Sequence, residues 1–195
     1  MVFRQIGTHL HRTIKHPIVA RIFNSLSFYG GWTALVVYAA SGRPYMGLAI
    51  LTPLMLVHFV LSHQRGKDLL FLSSVTLAGC FIDIGLITSG VLTYASPNGW
   101  AWWAPPVWMA GVYLLFAAAV DYSLFWLRNY PVAAAVLGAL GGMSSYAAGE
   151  RLGAATFLMP GAHSLIVIGI VWFIFMPAVC WYSGWLDRHA AEKEL

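Results

Sequence analysis

The sequence predicts an all-α fold, a polytopic membrane bundle of six transmembrane helices with both termini in the cytoplasm. Its 195 residues are 59% hydrophobic and only 9% charged, with a mean hydropathy of +0.72, which excludes an ordinary soluble domain. Apolar runs of about 17 to 25 residues, each long enough to cross a hydrocarbon core of about 30 Å, recur along the chain. The basic residues are divided unequally between the two predicted sides of the membrane.

The chain divides into three parts. Residues 1–17 form a basic cytoplasmic segment, residues 18–185 the transmembrane domain, and residues 186–195 a charged cytoplasmic tail. The first segment mixes basic and apolar residues at helical spacing, which suits a short helix on the cytoplasmic leaflet. The alternative is a basic tail that only sets orientation.

The spans follow from the apolar runs and their breakers. They are predicted at residues 18–40, 45–61, 69–94, 107–126, 131–155 and 163–185. Gly42 and Pro44 favour a tight turn between the first two spans. A Trp-rich connector follows span three and is typical of a membrane interface.

Orientation follows from the basic residues. Only Arg43 and Arg151 fall on one predicted side, whereas the other nine of the 11 Lys and Arg residues fall opposite. By the positive-inside rule, the richer side is cytoplasmic.

Span five carries a face of nearly side-chain-free positions. Ala134, Gly138 and Gly142 recur every four residues and therefore share one helix face. Such a face permits close approach of another helix backbone, either from this chain or from a partner protein.

Asp83 is the most unusual residue of span three, because an ionisable group in hydrocarbon is costly without a partner. At a rise of about 1.5 Å per residue it lies about 21 Å from the cytoplasmic face. Ser145 and Tyr146 reach a similar depth in span five, and Arg151 lies within reach of a long side chain. These four residues predict a substrate-binding site, with Asp83 as candidate catalytic or proton-binding group. The alternative is a buried carboxylate that only fixes helix packing.

A second polar cluster is predicted near the cytoplasmic ends of the helices. Its members all lie within about 10 Å of that surface. They are Arg21, Asn24, His58, Asp121 and Arg128. Such a cluster suits a phosphate or carboxylate head group, with His58 as a proton carrier. The alternative is a set of interfacial residues solvated by head groups and water.

Several function classes lack their signatures. The sequence has no P-loop, no G-x-S-x-G elbow, no HExxH and no CxxC, so neither a cofactor nor a metal centre is predicted. Cys80 and Cys180 both fall inside spans and are interpreted as small core residues. The net charge of +4 is attributed to topology and anionic lipid, so no nucleic-acid partner is predicted.

Several motifs resemble a family of small bacterial inner-membrane proteins known as domain of unknown function 2878. They are Asp83 with Gly85, the Trp- and Pro-rich connector, SLFWLRNYP at 123–131, GGMSSYAAGERLGA at 141–154, and Asn24 with Gly31 and Trp32. The resemblance covers roughly residues 24–157 and departs at Met143 and Glu150. It implies a bacterial inner membrane and no established activity. Similar proteins are often encoded near fatty-acyl-modifying enzymes, which implies a connection with lipid.

The sequence is compatible with three functions. The leading hypothesis is binding or processing of a lipid-like molecule at the site around Asp83, with membrane lipid as partner. The second is proton-coupled transport of a small solute, with Asp83 taking up the proton. The third is a non-enzymatic assembly subunit that uses the face at Ala134, Gly138 and Gly142 to dock a partner membrane protein or a second copy.

Overall fold

Six helices dominate the part of the chain described by the computed structural model, which comprises residues 17–62, 64–95, 101–160 and 162–193. They are α1 (Pro17–Ala40), α2 (Pro44–Leu61), α3 (Arg65–Thr88), α4 (Val107–Tyr122), α5 (Pro131–Arg151) and α6 (Ala162–Lys193). The predicted all-α class and the six helices are therefore found. The predicted N-terminal surface helix at 1–17 lies almost wholly outside the described residues.

Three of these helices, α3, α5 and α6, are long and apolar enough to cross a membrane, over Arg65–Thr88, Pro131–Arg151 and Ala162–His189. Shorter apolar helices occupy Pro44–Val60 and Val107–Tyr122. The 16 residues of α4 extend about 24 Å, less than a hydrocarbon core of about 30 Å. Length and composition thus support a multi-pass membrane protein.

Span three ends earlier than predicted, because residues near Tyr94 form a strand instead of a helix. Strand β1 (Leu92–Tyr94) pairs antiparallel with β2 (Ala155–Phe157), which follows α5. Gly90 and Gly153 have φ values of 71° and 84° and end α3 and α5, respectively. Glycine accepts this left-handed conformation without strain, so each helix stops and turns directly into its strand.

Two other predicted boundaries also differ. The fourth helix ends at Tyr122 and is followed by a 3₁₀ helix at Phe125–Asn129, so residues predicted for span four form a tighter turn. At the other end of the chain, α6 continues to Lys193, and most of the predicted tail at 186–195 is helical. That segment contains no glycine or proline to stop the helix.

The fourth helix is the centre of the bundle. It contacts α1, α2, α3 and α6, and most of its residues are buried. The fifth helix packs mainly on α6. Gly138 and Gly142 face α6, where a Cβ would lie 2.4 Å from Cβ of Met176 and 2.3 Å from Cγ of Trp172, respectively. The small-residue face of α5 is therefore occupied by a helix of the same chain.

Candidate functional site

Asp83 lies in a buried cluster of tyrosines. Its side chain is fully buried, at 0% exposure, and its Oδ1 accepts a hydrogen bond of 2.6 Å from the Tyr146 hydroxyl. The hydroxyls of Tyr146 and Tyr113 are 3.0 Å apart. Because a phenol has one proton, Tyr146 uses it on Asp83 and Tyr113 donates to Tyr146. The cluster is therefore a directed chain of hydrogen bonds that ends on the carboxylate.

Gly79 and Tyr94 complete this cluster. Gly79 lies one turn before Asp83, and a Cβ there would be 2.1 Å from Cδ1 of Tyr113. The missing side chain thus makes room for the Tyr113 ring. Tyr94, at the end of β1, is buried and interacts with Asp83. Its hydroxyl, like Oδ2 of Asp83, lacks a hydrogen bond of normal geometry within the described residues.

A cavity of about 410 Å³ lies beside the tyrosine cluster, between α1, α4, α5 and α6. Tyr94, Tyr113 and Tyr146 form part of its wall, and most other lining residues are apolar or aromatic. On α5 the lining extends from Leu137 to Gly149, a length of about 18 Å. No Lys, Arg, His, Asp or Glu of the described chain lines this cavity.

The mouth of the cavity lies between α1 and α5. Tyr29, Leu137, Gly141 and Ser144 line the cavity and are also exposed at the surface of the bundle. All four occur in the middle turns of their helices. The mouth therefore lies at the middle of these two helices, far from their ends.

Ser145 and Arg151 are not partners of Asp83. The Ser145 hydroxyl accepts a hydrogen bond of 3.0 Å from Nε1 of Trp32 and so bridges α5 to α1. Arg151 is exposed at the end of α5, and no ion pair joins it to Asp83 among the described side chains. Of the residues predicted to surround Asp83, only Tyr146 touches it, because α5 turns its other polar side chains elsewhere.

The opposite end of the bundle contains a network of ion pairs. Asp121 is buried and contacts Arg128 at 2.5 Å and Lys67 at 3.0 Å. Asp187 on α6 also pairs with Lys67 and Arg128, and Ser183 donates to Asp121. This ion-pair network links α3, α4, the 3₁₀ helix and α6. It neutralises its own charges, because two cations face two carboxylates.

The other members of the second predicted cluster lie in separate contacts. Nε2 of His58 is 3.5 Å from Asp68, which also accepts a hydrogen bond from Tyr122. Asn24 is joined to Ser123 on the chain after α4. The guanidinium of Arg21 lies 4.3 Å from the ring centroid of Phe125. Ser123 also contacts the backbone oxygen of Arg21, so the residues of the single predicted cluster fall into three neighbouring groups.

Several site residues lack a clear signal in the sequence. Tyr94, Tyr113, Trp108 and Trp172 line the cavity, but in an apolar sequence they resemble ordinary core or interfacial aromatics. Helical spacing offers one signal for the room that Tyr113 occupies beside Asp83. Gly79 and Asp83 are four residues apart and share a face of α3. For metals, no group of three or more His, Cys, Asp or Glu side chains suited to an ion occurs in the described chain.

Tyr146→Phe should destabilise the protein by about 2 kcal/mol, because a buried carboxylate then loses its hydrogen-bond donor. The change removes one oxygen and leaves the ring in place. Thermal unfolding of the purified protein in detergent measures the effect. Tyr130→Phe, at a tyrosine that is 59% exposed, is the matched control and should have almost no effect. Equal stability of both variants would mean that the hydrogen bond to Asp83 contributes nothing.

The chain belongs to a family of proteins of unknown function, DUF2878, whose model matches residues 21–178. The resemblance drawn from its motifs is thereby confirmed. The match includes the tyrosine cluster, the cavity wall and most of α6. No curated protein and no solved structure matches the chain. The description of the family names no activity.

Proposed function

We propose that this member of the family is an integral membrane protein that binds a single-chain, lipid-like molecule in the cavity between α1 and α5. The observation that carries the proposal is the opening of an apolar cavity at Tyr29, Leu137 and Gly141, in the middle turns of their helices. In helices that span a membrane, this opening faces the hydrocarbon. A molecule that is already dissolved in the bilayer enters such a cavity without crossing water. A polar solute gains nothing from this route, since hydrocarbon excludes it.

The dimensions of the cavity suit one flexible chain. Its lining extends about 18 Å along α5, which is long for a volume of about 410 Å³, so the cavity is elongated. Its volume of about 410 Å³ lies toward the small end of ligand cavities, which range from roughly 300 to 1,000 Å³. Gly141 contributes to this room because the space beside its Cα is open, whereas Met176 and Trp172 fill the space beside Gly138 and Gly142.

The proposal includes a membrane arrangement. The six helices form a bundle across the bacterial inner membrane, with both termini in the cytoplasm. Because α4 is shorter than the hydrocarbon core, the chain crosses there as α4 together with the 3₁₀ helix that follows it. The support is the nine-to-two division of Lys and Arg residues, which follows the positive-inside rule. The ion-pair network then lies on the cytoplasmic side, and the paired strands β1 and β2 on the outer side. The assignment to this membrane rests on the family resemblance.

Proton-coupled transport is the second candidate function. Its support is Asp83, a fully buried carboxylate that has no cationic partner among the described residues. Intramembrane acids of this kind are typical of proton-coupled carriers. The two candidates differ in the effect of Asp83→Asn. A carrier would lose uptake driven by a pH gradient in proteoliposomes, whereas a lipid-binding site would keep its occupant.

The assembly-subunit hypothesis loses its original basis. It required the face at Ala134, Gly138 and Gly142 to be open to a partner, and α6 of the same chain covers that face. We therefore do not propose it.

Gly141→Leu should abolish binding while leaving the fold intact. A Cβ at Gly141 meets nothing within 4 Å, so a side chain can begin there without a backbone clash, and a leucine at this lining position narrows the mouth. Hexadecanol carrying a diazirine is the probe, and mass spectrometry of its crosslinked peptides is the measurement. In the wild type, we expect saturable labelling of α1 and α5 peptides around Tyr29 and Leu137.

The matched control is Gly30→Leu on α1. Gly30 is also exposed and open around its Cβ, but it does not line the cavity. Labelling of the control should equal that of the wild type. Saturable labelling that survives Gly141→Leu at wild-type strength would contradict the proposed site.

A further inference from the structure

The polar atoms in the cavity wall indicate what kind of head group a bound chain carries. This question rests on the proposed function, since it concerns the same cavity. Two donors on lining residues are buried and have no hydrogen-bond partner in the described chain. They are the indole N–H groups of Trp108 and Trp172. The Tyr94 hydroxyl makes no hydrogen bond of normal geometry either, but it interacts with the Asp83 carboxylate. A buried donor left unsatisfied costs about 1 to 3 kcal/mol. An acceptor on a ligand would recover part of that free energy.

The neighbouring hydroxyls do not compete for such an acceptor. Tyr146 donates to Asp83, and Tyr113 donates to Tyr146, so both protons are already used. The Trp32 indole donates to Ser145. The Tyr94 hydroxyl interacts with the Asp83 carboxylate. The buried donors left for a ligand are therefore the indoles of Trp108 and Trp172.

The position of these donors is also informative. The Tyr94 and Trp108 rings meet edge to face, with centroids 5.5 Å apart, at the end of the cavity nearest β1. The other end is closed by apolar side chains such as Leu124 and Met176. An elongated ligand therefore satisfies both ends only if its polar group lies near Tyr94 and its chain extends toward Leu124.

Charge sets the second limit on the head group. No cationic side chain of the described residues lines the cavity, and the Asp83 carboxylate lies directly behind the tyrosines. A phosphate or sulfate would enter without a counter-charge and next to an acidic group, which is strongly unfavourable in a low-dielectric site. An uncharged head group avoids both costs.

We infer that the cavity selects a neutral single-chain lipid whose head carries a hydrogen-bond-accepting oxygen, such as a carbonyl, with that oxygen at the Trp108 indole. Trp108 is the binding residue for the head, and α1 and α5 enclose the chain. Phospholipids and anionic chains are excluded by the missing counter-charge.

The test is a competition among chains of equal length against the diazirine-hexadecanol label. Hexadecane has no head, methyl palmitate has a neutral carbonyl, and hexadecyl phosphate is anionic. Methyl palmitate should compete about tenfold better than hexadecane, as expected for one recovered hydrogen bond. Hexadecyl phosphate should compete no better than hexadecane. In the Trp108→Phe protein, the preference for methyl palmitate over hexadecane should shrink by about threefold or more.

The outcomes separate the inference from the proposed function. Preference is a ratio measured within one protein preparation, so a partly destabilised variant still reports it. Equal competition by hexadecane and methyl palmitate, an advantage for hexadecyl phosphate, or an unchanged preference in Trp108→Phe would overturn the inference and leave lipid binding standing. If the label itself fails to react saturably with the wild-type cavity, the proposed function fails.

Discussion

Gly138→Leu should prevent the protein from accumulating in the membrane, and even Gly138→Ala should destabilise it by about 1 to 3 kcal/mol. A Cβ at this position would lie 2.4 Å from Cβ of Met176 and 2.8 Å from the backbone oxygen of Trp172. Neither atom can move aside by a rotamer change. The α6 backbone must shift, and α6 is the main neighbour of α5. Unfolding of the purified Ala variant and the membrane level of the Leu variant measure these effects.

Gly141→Ala is the matched control, because it makes the same change one turn away on the same helix. Its Cβ meets nothing within 4 Å, so stability should change by less than about 0.5 kcal/mol. If Gly138→Ala and Gly141→Ala behave alike, α5 and α6 do not approach each other as closely as described. The cavity wall formed by Trp172 and Met176 would then also need revision.

Asp121→Ala should destabilise the protein by about 3 to 5 kcal/mol, the usual cost of leaving buried charge uncompensated. The Asp121 side chain is only 3% exposed and balances Lys67 and Arg128, which are 12% and 17% exposed. After the substitution, Asp187 alone faces both cations, and it is 37% exposed. Thermal or denaturant unfolding in detergent provides the measurement.

Asp187→Ala is the comparison for this network. It removes a carboxylate that contacts the same two cations but is better solvated, so the loss should be clearly smaller than for Asp121→Ala. A double-mutant cycle between Asp121 and Arg128 isolates their coupling. If the cycle shows no coupling, or if Asp121→Ala and Asp187→Ala lose the same free energy of unfolding, burial does not strengthen the Asp121 contacts.

The helices could be predicted from the sequence, because a helix in lipid must satisfy its own backbone and therefore requires a long apolar run. The depth of Asp83 and Tyr146 was also accessible, since helical rise converts sequence position into height. This arithmetic correctly brought Asp83 and Tyr146 to one layer. It gives height but not rotation about the helix axis. Ser145 lies one residue away at nearly the same height, but its side chain points toward Trp32 instead of Asp83.

The paired strands and the cavity could not be predicted in this way. The strands β1 and β2 have only three residues each, and their hydrogen bonds depend on two segments about 60 residues apart. Gly90 and Gly153 mark the helix ends only once the backbone is known. The cavity depends on how α1 and α5 diverge around α4, which no local pattern encodes. Lys67 and Asp187 likewise join the ion-pair network through tertiary contacts alone.

The most direct test of the central claim is to identify what the purified protein retains from the membrane. Wild-type, Gly30→Leu and Gly141→Leu proteins would be purified in parallel, washed extensively with detergent, extracted with organic solvent and compared by mass spectrometry. A neutral single-chain lipid should be enriched with the wild type and Gly30→Leu and missing from Gly141→Leu. Equal recovery of every lipid species from all three proteins would contradict a lipid-binding cavity between α1 and α5.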